Sequence, residues 1–305
     1  MRVFVTGASG HIASALVPEL LGAGHEVLGL ARSQESAAAV AALGAEVRRG
    51  DLDDLEGLAA AAAECDGTIH LAFKHEAMRS GDYVTAVEAD MAAGRAIAEA
   101  IAGTDKPFVN TGGTLMLAMA GISGRAGTEQ DKVGGGGRSD ATNATIALAA
   151  EGVRSSVVLL PPVVHSDLDH HGFVPTLIGM AREHGHAAFV GDGANRWPSV
   201  HTRDAAHLYR LAVESAPPGS NLHAVDDEGV PFREIATAIG AGAEVPAISV
   251  TAEEAPAHLG FLAAFAQLDN PTSSALTREL LGWEPKQPGL IADLRERHYF
   301  QLQVA

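Results

Sequence analysis

Thr6-Gly7-Ala8-Ser9-Gly10-His11-Ile12-Ala13 sets two glycines three residues apart, between a β-branched run and a stretch of helical periodicity. That arrangement suits a phosphate. Glycine at position 7 permits a tight strand-to-helix turn, and glycine at 10 lets backbone amides approach a pyrophosphate at the positive end of a helix. Gly7, Ser9, Gly10, His11 and Ile12 are therefore the candidate cradle, with Ala13 small enough for close packing of helix on strand. The bland alternative is a turn with incidental glycines, and the flanking strand and helix weigh against it.

The second chemical signal lies at the end of the next strand. A site for NAD would place an acidic residue there to bind the ribose hydroxyls. Leu30-Ala31-Arg32-Ser33 has none. Arg32 offers a planar cationic fork and Ser33 a hydroxyl, a pair suited to a 2′-phosphate, so the expected cofactor is NADP(H).

Other groups are placed for chemistry on a substrate. Thr111 and Thr114 are hydroxyls at the carboxyl end of a strand, where α/β sheets hold ligands, although bonds to their own glycine-rich turn explain them as well. Lys74 and His75 follow the fourth strand at the same edge and are candidates to donate a proton or steady an oxyanion; a solvent-facing pair is the alternative. His165, Asp167, Asp169, His170 and His171 have metal-compatible side chains but no metal motif, so a loop beside the substrate cavity is expected and no metal. His165 and the run Asn195-Arg196-Trp197 are candidate substrate contacts, with Trp197 as a structural wedge the competing role. Phe173, Phe261 and Phe265 read as core.

These groups need a scaffold that brings strand ends together. Strands are expected at Arg2–Thr6, Glu26–Leu30, Glu46–Arg48, Thr68–Phe73, Phe108–Thr111 and Ser155–Leu160, alternating with helices from Ile12, Ser36, Leu55, Val84 and about Ala141. Strict alternation implies a parallel sheet covered on both faces. Gly112 to Asp140, with Gly134-Gly135-Gly136-Gly137, reads as one long loop. The segments after Pro161-Pro162 are irregular, and the tail from Pro231 reads as mostly helical. The expected fold is α/β: a Rossmann-type doubly wound parallel sheet with a smaller, mainly helical C-terminal substrate-binding region. Residues 1–165, with 191–215 returning, form the first part, and 166–190 with 216–305 the second.

Composition narrows the partners. A net charge of -17 over 305 residues argues against nucleic acid. The single cysteine, Cys65, excludes an intramolecular disulfide. No apolar run approaches spanning length and nothing resembles a signal segment, so a cytoplasmic protein with no membrane partner, monomer or homodimer, is expected.

The chain resembles the extended and atypical short-chain dehydrogenase/reductases, the NAD(P)-dependent epimerase/dehydratase-like group. The resemblance rests on Thr6 to Ala13, Gly50-Asp51-Leu52, His70-Leu71-Ala72-Phe73 and Leu160-Pro161-Pro162-Val163-Val164-His165. It continues through Trp197-Pro198-Ser199-Val200-His201 to Asp204 and ends at Leu281-Gly282-Trp283-Glu284-Pro285. It implies Asp51 and Leu52 at the adenine, Leu71, Ala72, Phe73 and Thr111 along the cofactor, and Pro161, Pro162 and Val163 by the nicotinamide. The family's Tyr with Lys four residues later is missing: Tyr83, Tyr209 and Tyr299 are followed at that spacing by Val87, Val213 and Gln303. Counting back from Pro161, the tyrosine's place falls at Gly134 to Arg138. The family's serine after the fifth strand is absent too, and its helix-four asparagine corresponds to Asp90.

A general acid contributes about 10²–10⁴-fold, so its loss leaves hydride transfer possible, most readily where the substrate stabilises its own alkoxide. The chain is thus most similar to tyrosine-lacking ketoreductases of aromatic polyketide pathways, the simocyclinone type, and a polycyclic aromatic ketone is the expected small-molecule substrate. Two alternatives stay open: a sugar-nucleotide epimerase or dehydratase, and a non-catalytic NADP(H) redox sensor.

Overall fold

The computed structural model describes residues 1–75 and 82–301; Gln303 lies outside them. Strand β1 (Arg2–Thr6) is β-branched and buried almost throughout, as a central parallel strand must be. Helix α1 (His11–Gly22) buries Ala13, Leu16, Val17 and Leu20, a stripe at spacings of three and four that turns one face to the sheet. The alternation continues through β2 (Glu26–Ala31), α2 (Gln34–Ala42), β3 (Glu46–Arg49), α3 (Leu55–Glu64), β4 (Gly67–His70), α4 (Tyr83–Ile101) and β5 (Pro107–Gly113). Then come a short helix α5 (Leu115–Met119), α6 (Arg138–Ala147) and β6 (Arg154–Leu160).

After β6 the chain alternates between two regions, through β7 (Val163–His165), α7 (Phe173–His184), β8 (Ala187–Val190), β9 (Arg196–His201), α8 (Thr202–Ser215) and β10 (Ser220–His223). It ends with β11 (Asp227–Pro231), α9 (Phe232–Ala243), β12 (Ala247–Val250), α10 (Ala255–Leu259), α11 (Ala275–Leu281) and α12 (Leu290–Arg295).

The main sheet has seven parallel strands in the order β10-β6-β5-β4-β1-β2-β3. Strand order reverses between β1 and β4, and α/β sheets open a ligand crevice at that point. Leu16, Leu20, Leu208, Tyr209 and Trp283 fill one face, and Phe4, Leu58, Ile97, Ile101 and Phe108 the other. A second core gathers Trp197, Phe232, Ile178, Ile235, Leu262 and Leu290, beside small sheets ordered β11-β9-β7 and β12-β8.

The second half departs from expectation in three ways. Strands β7, β9, β11 and β12 occupy stretches expected to be irregular or helical; each has at most six residues, too few to show a period. Of residues 191–215, α8 returns to the main sheet while β9 pairs in the small one, and β10 joins the main sheet beside β6. The expected loop 112–140 contains α5, and α6 starts at Arg138 rather than Ala141.

Thr6 fixes the crevice. Its Oγ1 accepts from the amides of Leu71 (3.2 Å) and Ala72 (3.1 Å) and lies 2.8 Å from His70 Nδ1. A hydroxyl has two lone pairs and one proton, so with both lone pairs taken the proton goes to His70 Nδ1. The ring proton of His70 is therefore on Nε2, which lies 3.3 Å from Asp90 Oδ1 on α4. All three side chains are buried. Thr6→Val keeps the shape and orphans two amides and an imidazole nitrogen. At about 1–3 kcal/mol per orphaned group, the unfolding free energy from urea titration is expected to drop by several kcal/mol; an unchanged value would dismiss the network.

Candidate functional site

The candidate site runs along the carboxyl edge of the main sheet. At its centre Gly7 adopts φ +64°, and a β-carbon there would lie 2.8 Å from the Ala72 nitrogen, so only glycine fits between β1 and β4. Gly10 caps α1 with extended backbone and no side-chain bond, and no acidic residue stands in the helix's first turn. The leading amides, at His11 and Ile12 among others, thus have no side-chain cap, and the positive helix end favours an anion there. Ser9 is exposed beside them. This uncapped, close-approach turn fits a dinucleotide pyrophosphate.

On the β2–β3 side, Arg32 and Ser33 are exposed at the end of β2, and Ser33 caps α2 in a reciprocal pair with Ser36. Arg49, the last residue of β3, donates to the carbonyls of Ser33 and, at 3.3 Å, Arg32. Two guanidinium-bearing residues thus flank one helix N-terminus. Asp51 is exposed and accepts from the Asp53 amide, whereas Leu52 is buried with Leu30 in the core. Arg49 escaped sequence reasoning because only β2–β3 register, Ala31 opposite Arg49, brings it beside Ser33.

On the β4–β5–β6 side, Leu71, Ala72 and Phe73 are half-buried along the edge. Thr111 Oγ1 donates to the His70 carbonyl (2.8 Å), so the Tyr209 hydroxyl, also at 2.8 Å, must donate to Thr111. Burial raises the pKa of Tyr209 and keeps it a neutral anchor. Thr114 is fully buried and accepts from Asn270 Nδ2 (3.0 Å). Both threonines are thus engaged with protein. Lys74 Nζ holds both oxygens of Asp53 at 2.7 Å, and His75 lies edge-on to Phe73. Pro161 is buried, Pro162 half-buried, and Val163 belongs to the second core.

Arg138 was missed as a site residue. Its guanidinium lies 4.1 Å over the Phe73 ring and one nitrogen donates to the Thr111 carbonyl at 2.8 Å. The sequence offered one signal, its position in the interval where the tyrosine should stand. Close packing of α6 on β5 puts it there: a β-carbon on Gly112 would lie 2.8 Å from Thr142 Oγ1.

The expected substrate contacts are all engaged with protein. Trp197 is wholly buried in the second core, with Phe232 edge-on at 4.8 Å and its indole N–H donating to the Phe265 carbonyl. Arg196 forms a two-pronged pair with Asp269, and Asn195 donates to the carbonyls of Ala266 and Leu268. His165 is buried against Asp293 (2.8 Å). It joins a network with His201, Thr202, Ser166 and His11, whose Nε2 lies 2.8 Å from Thr202 Oγ1. Burial, reinforced by His170 and His165, holds the His11 pKa down to about 4; burial and then His165 do the same to His201. Among the described residues no group of three or more His, Cys, Asp or Glu could hold a metal ion, and no helix is long and apolar enough to cross a membrane.

A family model described as the NAD dependent epimerase/dehydratase family matches residues 3–223. An uncharacterized protein of Schizosaccharomyces pombe is 45% identical over 302 residues, 98% of this chain and 100% of that protein. A protein of Stigmatella aurantiaca named 4-hydroxy-2-methyl-3-oxo-4-farnesyl-3,4-dihydroquinoline-1-oxide ketoreductase is 28% identical over 278 residues, 85% of this chain and 80% of that one. Among solved structures, Thermus thermophilus UDP-glucose 4-epimerase in complex with NAD superposes with a TM-score of 0.75 at 21% identity, covering 100% of both chains. At that identity the likeness concerns the fold.

The depressed histidines predict a pH dependence. Unfolded, each binds a proton below its ordinary pKa near 6.5; folded, it does so only near 4. Their contribution is complete above pH 6.5 and is lost as pH falls toward 4. Asp169 and Asp204, raised by burial, act in the opposite sense at the acid end. The thermal midpoint should therefore fall from pH 7 to pH 5, and less steeply in His201→Gln. Equal slopes in the two proteins would contradict the assignment.

Proposed function

The chain is an oxidoreductase of the NAD dependent epimerase/dehydratase family, and from that premise we propose that it is an NADP(H)-dependent ketoreductase acting on a bulky aromatic ketone. The observation that carries the cofactor choice is the pairing of Arg32 with Arg49 around the Ser33 cap. Arg49 is held against the Arg32–Ser33 backbone at the N-terminus of α2, so two arginines and a helix N-terminus stand at the end of β2 where a 2′-phosphate is expected. When bound, the reduced nicotinamide supplies a hydride. The chain's own part is to position and polarise: uncapped amides at His11 and Ile12 take the pyrophosphate, Leu71 to Phe73 line the crevice, and the Tyr209–Thr111–His70 bonds hold its floor rigid.

Support for a ketone comes from two directions. The Stigmatella relative carries the name of a ketoreductase acting on a dihydroquinoline ketone. The absence of the Tyr-Lys pair favours a carbonyl whose alkoxide is stabilised within the substrate, as in polyketide quinones of the angucyclinone kind. The family match equally supports a sugar-nucleotide epimerase or dehydratase. Such a substrate has a second pyrophosphate to neutralise, and Arg196, a candidate substrate contact, is paired with Asp269.

Two measurements test this. NADPH should raise the thermal midpoint well above NADH, and Arg32→Ala with Arg49→Ala should erase about 10–100-fold of that preference, the worth of charge-assisted bonds to one phosphate. Equal stabilisation by the two cofactors in the unaltered protein would sink the NADP assignment. Loss of NADPH absorbance with polycyclic quinone ketones, and none with UDP-glucose or dTDP-glucose, is the expected turnover; the reverse pattern would establish the sugar-nucleotide alternative. No turnover of either class would favour a redox sensor.

A further inference from the structure

Among the described residues, the β4–β5 edge carries a cation that the rest of the site leaves unused. Lys74 is neutralised by Asp53. Arg138, in contrast, has no carboxylate within ion-pair distance among the described residues. Its one charge-bearing contact to protein is the bond to the Thr111 carbonyl, its Nε is buried without a hydrogen-bond partner, and Phe73 covers one face of the guanidinium. A buried guanidinium N–H without a partner is costly, and the donors beside it are open to a ligand or to water. Its location narrows that ligand. Arg32 and Arg49 fix the phosphate-binding end on the β2–β3 side, so a dinucleotide crossing the β1/β4 crevice has its other end over β4 and β5. Arg138 stands there.

We propose that Arg138 is the electrophile of the reduction: its open N–H groups bond the substrate carbonyl oxygen and hold the alkoxide that forms, in place of a tyrosine. The assignment rests on the ketone-reductase function proposed above. The carbonyl carbon accepts the hydride, the C=O π pair moves onto oxygen, and the alkoxide takes a proton from water, leaving hydroxide to the buffer. A guanidinium supports this by donating hydrogen bonds without giving up a proton. It also selects substrates whose product oxygen is acidic, such as enolisable diketones and quinone-conjugated ketones, because these tolerate a site with no proton relay.

The test compares Arg138→Gln and Arg138→Lys with the unaltered protein, by turnover and by equilibrium binding of 1-hydroxy-2-naphthoate, an aromatic oxyanion, to the NADP⁺-loaded form. Arg138→Gln is expected to lower kcat about 10²–10³-fold, as removal of an oxyanion donor does, with KM and NADPH affinity within about threefold. Naphthoate affinity should fall at least tenfold, and Arg138→Lys should recover part of both losses. The kcat profile should be flat between pH 7 and pH 10. Unchanged naphthoate binding and kcat in Arg138→Gln would overturn the assignment. So would a basic limb in the profile that Tyr83→Phe abolishes, since the Tyr83 hydroxyl, which accepts from the Arg138 amide at 3.2 Å, would then be the proton donor. Naphthoate binding that depends on Arg138, in a protein that reduces no ketone, would keep the oxyanion site and refute the reductase function instead.

Discussion

Everything at the site depends on how closely the ends of β1 and β4 approach. Gly7 has no room for a β-carbon against Ala72, and Thr6 Oγ1 collects the amides of Leu71 and Ala72 while giving its proton to His70. Those bonds tie the chain after β4 to the turn after β1 at the point where the strand order reverses. The consequences run outward in both directions. Toward β2 and β3 the edge presents Arg32, Ser33 and Arg49; toward β5 and β6 it presents Phe73, Thr111 and Arg138. One edge therefore carries cations toward both ends with an uncapped helix terminus between them.

The second region is joined to this edge by buried polar bonds as much as by apolar packing. His11 reaches Thr202, Thr202 donates to the His165 carbonyl, and His165 is held by Asp293 near the end of the chain. Asp204 does the same on the other side: its carbonyl accepts from the Trp283 indole and its carboxylate from the amides of Lys286 and Gln287. Such networks are costly to leave half-made, so they specify one relative placement of the two regions. They also explain why segments far apart in sequence, around Trp197 to Asp204 and Leu281 to Pro285, occur together: they are the two halves of one joint.

Residues expected to contact substrate turned out to build that joint and the second core. Trp197, Arg196 and Asn195 are chemically suited to a polar aromatic ligand, and the same properties suit them to hold the 265–269 segment. Side-chain type does not distinguish the two uses; for Trp197, burial does. A wholly buried tryptophan with its N–H on a backbone carbonyl has no surface left for a substrate.

What the sequence determined by itself was local. The glycine turn, the alternation of strand and helix, the lack of an acidic residue after β2 and the lack of a tyrosine-lysine pair are all legible within a few residues, because each reflects backbone conformation or a missing group. Strands β7, β9, β11 and β12, of three to six residues, carried no such signal, since their stability comes from partners far along the chain. Arg49 and Arg138 were invisible for a related reason. An arginine at a strand end or a helix start is ordinary in sequence. It becomes part of a site only when register sets Arg49 beside Ser33, or when helix packing lays a guanidinium over Phe73 and leaves its donors unmatched. Tertiary structure decided which cations face the crevice, because unspent charge is a property of surroundings and not of residue type.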